Sequence, residues 1–146
     1  MPEFVQTLPV RFMAIPSKRL LVVEDECLVA LMIADILVEL GCNIIGPAFT
    51  ISEARRLASN GSIDAALVDV NLNGVRADEV VDILSRRKIP FLFVTGYDSL
   101  PTDFRMGADL LKKPFGHDDL RRAIQGLLPA WSVDPTLCAD TSFVSG

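Results

Sequence analysis

The chain has 146 residues, half of them hydrophobic, which is enough for one domain with its own core and too few for two ordinary ones. Its net charge is −5 and its longest basic run is Arg86-Arg87-Lys88, so a nucleic-acid surface, which needs a concentrated basic face, is not expected. The opening residues lack the basic and apolar segments of a secretory signal, no apolar run reaches ~18 residues, and Cys27, Cys42 and Cys138 have no metal-type spacing; the expectation is a cytoplasmic protein with reduced thiols and no membrane contact.

Residues 1–17 hold Pro2, Pro9 and Pro16 without a sustained period and read as an extended N-terminal arm. Residues 18–128 read as the domain. Arg19 to Val23 is an apolar strand running into Glu24-Asp25-Glu26, and a helix follows from about Glu26 to Leu40, carrying Leu28, Leu31, Met32 and Ile36, with Gly41 placed to end it. Asn43 to Ala48 is a short second strand. Thr50-Ile51-Ser52-Glu53 has the form of a capping box, with Thr50 as N-cap and Glu53 reaching back, and opens a second helix to about Ser59.

Ala65-Ala66-Leu67-Val68-Asp69 is the pattern of a strand buried on both faces whose last residue emerges at the carboxyl edge of a sheet. Leu72-Asn73-Gly74 signals a turn, and Val80, Val81, Ile83 and Leu84 give a third helix from about Ala77 to Arg87. Pro90 opens a fourth strand that ends in Thr95-Gly96, and a short fifth strand around Leu110-Leu111 ends in Lys112-Lys113-Pro114. The segment between them, Gly96 to Asp109, is poor in apolar residues and is expected to be a mobile loop with at most one helical turn. A last helix begins at Asp118-Asp119-Leu120 with Leu120, Ala123, Ile124, Leu127 and Leu128 as its apolar stripe; His117 reads as an exposed residue opening it. Residues 129–146 have turn-forming composition and read as an irregular tail in which Trp131 has no assigned role. Strands alternating with helices make this a doubly wound α/β domain, a five-stranded parallel sheet with helices on both faces and the fourth helix short or absent.

If the strands are parallel, their ends converge on one rim. There Glu24, Asp25 and Asp69 suit a hard divalent cation, Asp69 could attack a phosphoryl group, and Thr95 and Lys113 could contact its oxygens. The motifs Val-Val-Glu-Asp-Glu (22 to 26), Leu-Val-Asp-Val-Asn-Leu (67 to 72), Val-Thr-Gly (94 to 96) and Lys-Lys-Pro-Phe (112 to 115) resemble, in order, those of the receiver domain of two-component response regulators. With Tyr97, the third motif looks like an atypical subgroup with a Thr-Gly-Tyr signature.

That resemblance implies the flavodoxin-like strand order 2-1-3-4-5. It also implies that Asp69 is phosphorylated, in a Mg²⁺-dependent reaction, from the phosphohistidine of a histidine kinase or histidine phosphotransfer protein. It makes Asp25 a direct Mg²⁺ ligand, Glu24 a ligand through water, and the Asn71 backbone carbonyl the remaining protein ligand. Lys113, before Pro114, matches the family's Lys-Pro step, which implies a cis peptide that aims the lysine inward. Leu110 departs from the family, since many receivers carry an aromatic switch residue there. The expected function is a single-domain response regulator, or the receiver of a hybrid kinase, that switches interactions with a downstream protein the sequence does not identify. The resemblance implies a phosphoacceptor and not a metabolic enzyme. A homodimer stays open. The alternatives are a haloacid-dehalogenase-type phosphatase, which would show Asp-x-Asp where this chain has Asp69 and Asn71, and a pseudo-receiver that never takes phosphate.

Overall fold

A computed structural model describes residues 18–96 and 109–128. Five strands, β1 (Arg19–Val23), β2 (Asn43–Ala48), β3 (Ala65–Asp69), β6 (Phe91–Thr95) and β7 (Asp109–Lys112), form one parallel sheet in the order β2-β1-β3-β6-β7. A two-stranded antiparallel hairpin, β4 (Asn71–Leu72) and β5 (Val75–Arg76), stands between β3 and the helix that follows it. Setting the hairpin aside, this is the expected 2-1-3-4-5 order. Four helices complete the described fold: α1 (Cys27–Glu39), α2 (Ile51–Ser59), α3 (Asp78–Arg86) and α4 (His117–Leu127).

Side chains alternate along each strand, so the sheet makes two cores. Leu21, Val23, Ala66, Val68 and Phe93 pack with Ala54 and Ala58 of α2 and Val80, Val81 and Leu84 of α3. Leu20, Val22, Ala65, Leu67, Leu92 and Val94 pack on the other face with Ile33, Ile36 and Leu37 of α1 and Leu120, Ile124 and Leu127 of α4. All of β3 is buried, which is why its sequence is a continuous apolar run with no alternation.

Three local outcomes go beyond the sequence reading. In α1 the buried residues are Ala30, Ile33, Ile36 and Leu37, while Leu28 and Leu31 are 82% and 52% exposed. The helix is apolar nearly all round, so its period could not choose the face. At the start of α2, the Thr50 side chain accepts from the Glu53 N–H (3.2 Å) as expected, but Glu53 Oε1 accepts from the N–H of Phe49, one residue before the cap. In β2 the register against β1 shifts between Leu21 and Val23, at Gly46-Pro47, tolerable because β2 is an edge strand. Gly46 has φ +96, and a Cβ there would lie 2.8 Å from Ala48 N and 3.0 Å from Val22 O. The shift lets the Ala48 carbonyl accept from the Glu24 N–H at 2.9 Å, fixing the backbone where the acidic run begins.

The peptide bonds before Pro47 and Pro114 are both cis, the second as expected. The expectations for the arm (1–17), for the segment 97–108 including Tyr97, and for the tail with Trp131 and Cys138 fall outside the described residues.

Candidate functional site

Parallel strands place the residues after their last apolar positions on one rim, and the described side chains there converge on a cleft of about 370 Å³ lined by Asp25, Glu26, Asp69, Asn71, Asn73, Gly74, Thr95, Gly96 and Lys113. Asp69, 6% exposed, ends the central strand. Its Oδ1 accepts from the Asn71 N–H (3.2 Å) and its Oδ2 from Lys113 Nζ (3.2 Å). Lys113 is set there by its own backbone, whose N–H donates to the Thr95 carbonyl at 2.8 Å. Lys112 pairs with Thr95 in strand register and is exposed, so it is Lys113 that reaches the cleft.

Carboxylate oxygens of Glu24, Asp25 and Asp69 all lie within 4.8 Å of one another. Glu24 is buried, with Oε2 accepting from the Glu26 N–H (3.0 Å) and Oε1 2.9 Å from Lys113 Nζ, a close ion pair that lacks aligned hydrogen-bond geometry. Burial pushes the Glu24 carboxyl up to about 7, against the lowering effect of the Glu26 N–H and of Lys113. Burial acts on Lys113 in the opposite sense from its partners. Its loss of hydration is outweighed by its hydrogen bond to Glu26 and by the close charges of Glu24 and Asp69, so its ammonium is held well above the ordinary lysine range.

The structure therefore brings together Glu24, Asp25, Asp69 and Lys113, with Thr95 and Asn71 on the wall of the same cleft. Sequence reading missed two further members. Glu26 Oε1 lies 2.9 Å from Lys113 Nζ; the three donors of an ammonium ask for a third acceptor, and the neighbouring acid was at hand. Asn73 donates its backbone N–H to Asp25 Oδ2 at 2.9 Å, a contact across 48 residues that a turn signal alone does not announce. Leu110 is half-buried against the core that contains Phe93. His117 begins α4 as expected, with Nε2 2.9 Å from Glu39 Oε1.

The sequence model of the response regulator receiver domain matches residues 20–125. The chain belongs to the response regulator receiver domain family. As a receiver it is a signalling domain of two-component systems rather than a metabolic enzyme. It is 35% identical over 107 residues to the phyllosphere-induced regulator PhyR of Methylorubrum extorquens, covering 68% of this chain and 39% of that protein. It is 34% identical over 119 residues to the transcriptional regulatory protein PdtaR of Mycobacterium tuberculosis, covering 77% of this chain and 57% of that one. The receiver thus spans less than two thirds of the length of the curated relatives it matches. Among solved structures, SdrG from Sphingomonas melonis Fr1 superposes with a TM-score of 0.69 at 39% identity, covering 77% of this chain and 97% of SdrG. No described helix is long and apolar enough to cross a membrane.

Proposed function

We propose that this receiver takes a phosphoryl group onto Asp69 from the phosphohistidine of a histidine kinase or phosphotransfer protein, and that the aspartyl phosphate switches its affinity for a downstream protein. The observation that carries the reading is the Asp69 carboxylate, at the end of the central strand, facing an open cleft with Lys113 Nζ 3.2 Å away. In the transfer a carboxylate oxygen of Asp69 forms the new bond to phosphorus as the phosphorus–nitrogen bond of the donor breaks, and the imidazole leaves as the neutral ring with a proton drawn from solvent. Little covalent work is left to the protein, whose share is position and charge compensation.

Lys113 is the fixed cation for a phosphoryl oxygen, and Thr95 supplies a hydroxyl on the same wall. The donor set fits Mg²⁺, a hard cation that takes oxygen ligands and keeps several waters. Asp25 and Asp69 would hold it directly, with the Asn71 carbonyl. Glu24 would act through water, which suits a carboxylate whose two oxygens already face Lys113 and the Glu26 N–H. When bound, the ion supplies positive charge against three carboxylates and the incoming phosphoryl oxygens.

The haloacid-dehalogenase reading loses its support, because the acids beside Asp69 precede it in the chain and Asn71 stands where that chemistry places its second acid. Incubating the purified chain with acetyl phosphate and Mg²⁺ should add one phosphate by intact mass, and Asp69→Asn should remove the label. Equal labelling of that variant would overturn the assignment, and an unlabelled wild type that also fails to bind beryllofluoride would point to a pseudo-receiver.

A further inference from the structure

The hairpin β4-β5 follows the acceptor strand directly. Its two-residue loop is Asn73-Gly74, with φ +53 and +83, the left-handed pair that a tight hairpin with the natural strand twist requires. The Ala77 N–H closes its base on the Val70 carbonyl at 3.0 Å. Asn73 makes two contacts at once. Its backbone N–H donates to Asp25 Oδ2 (2.9 Å), and its side-chain Nδ2 donates to the carbonyl of Phe49 (2.9 Å), in the segment joining β2 to α2. Because that second partner is a carbonyl oxygen, only the amide nitrogen can face it, which fixes the orientation of the side chain. Asn73 therefore ties the hairpin tip to the β2–α2 connection while presenting its N–H to a carboxylate beside Asp69 and Glu24.

We infer that Asn73 is a positioning residue of the cation site: it engages one oxygen of Asp25, leaves the other as a single donor, and thereby favours a small octahedral cation over a larger one. The inference rests on the reading of Glu24, Asp25 and Asp69 as that site. A carboxylate free to turn can offer both oxygens, and two-oxygen coordination is what Ca²⁺ accepts and Mg²⁺ does not need. A carboxylate pinned by an N–H on one oxygen is a one-oxygen ligand with a set direction. Groups that orient metal ligands in this way are worth 10–100-fold in affinity when removed. The side chain matters because the N–H stays in place only while the tip is tied to Phe49.

The test uses the full chain without any phosphodonor, titrated with Mg²⁺ and with Ca²⁺ by calorimetry. Asn73→Gly keeps the left-handed backbone and the N–H but removes the tie to Phe49. Its Mg²⁺ affinity should fall about tenfold, and its Ca²⁺ affinity should fall less, so that discrimination between the two ions narrows; the cation-free thermal midpoint checks that the fold is intact. Gly74→Ala, which strains the tip from its other residue, should move both affinities in the same directions. Equal loss for both ions, or none, in Asn73→Gly while Asp25→Asn abolishes binding would overturn the inference. Wild-type binding in Asp25→Asn would instead overturn the cation-site reading itself, and this inference with it.

Discussion

Helix α1 on one face of the sheet and helices α2 and α3 on the other bury comparable apolar stripes, yet they treat their outer surfaces in opposite ways. Outside its buried stripe, α1 leaves Leu28, Leu31, Met32 and Val38 in contact with solvent. The outer surfaces of α2 and α3 are charged, with Arg55 and Glu79 paired across them at 3.8 Å and a cleft of about 540 Å³ lined by Arg55, Arg56, Arg86 and Arg87. Arg87 is already committed, donating to the Ala58 and Gly61 carbonyls at 2.6 and 2.7 Å. The apolar side also borders the candidate site: Val29, Met32 and Phe115 line a second cleft together with Glu26 and Lys113. The difference teaches that burial on one face does not determine what the other face of a helix does. Contiguous apolar surface left in water is free energy open to whatever covers it, whereas a charged surface is already satisfied by water.

The largest expected effect separates the two faces of α1. Leu37→Ala removes a fully buried side chain and should cost about 2–5 kcal/mol in urea denaturation, whereas Leu28→Ala should fall within about 0.5 kcal/mol of wild type. A large loss for Leu28→Ala would mean that the outer face is covered, and the contrast between the two sides of the sheet would break. A middle effect probes the helix starts. Helix α2 has a side-chain cap at Thr50 and α1 has none at Glu26, so Thr50→Ala should lower stability by about 1 kcal/mol.

The smallest effect belongs to the thiols. Burial pushes Cys42 up to about 11, while Cys27 is exposed at the start of α1. At pH 8 a maleimide should modify Cys27 well before Cys42, as read by peptide mapping. The sign for stability follows from the same shift. The unfolded chain releases the Cys42 proton from its ordinary value near 9, the folded chain only near 11, so this contribution is complete below pH 9 and is lost as pH rises toward 11.

Much of this could be read from the sequence because a sheet buried on both faces leaves continuous apolar runs, and because each run ends where the chain must turn polar. That is why Asp25, Asp69, Thr95 and Lys113 could be named as rim residues before their distances were known. Three things lay beyond such reading for physical reasons. A helix without a polar face, such as α1, carries no phase in its sequence. The register shift at Gly46-Pro47 depends on how close Val22 and Ala48 approach, which is a tertiary fact. The Asn73 contact joins a turn to an acid 48 residues away, and nothing in an Asn-Gly pair says which carboxylate its N–H will meet. The capping box lay in between, since Thr50 took its predicted partner while Glu53 took the N–H one residue earlier.

Lys113 carries a consequence in kinetic terms. An ammonium ringed by Glu24, Glu26 and Asp69, and held above its ordinary range, keeps its proton at neutral pH. It is therefore a fixed charge and not an acid in waiting: it can attract an oxygen, but it has no proton to hand over on the timescale of a turnover. For whatever molecule enters the cleft, the lysine contributes a constant electrostatic offset.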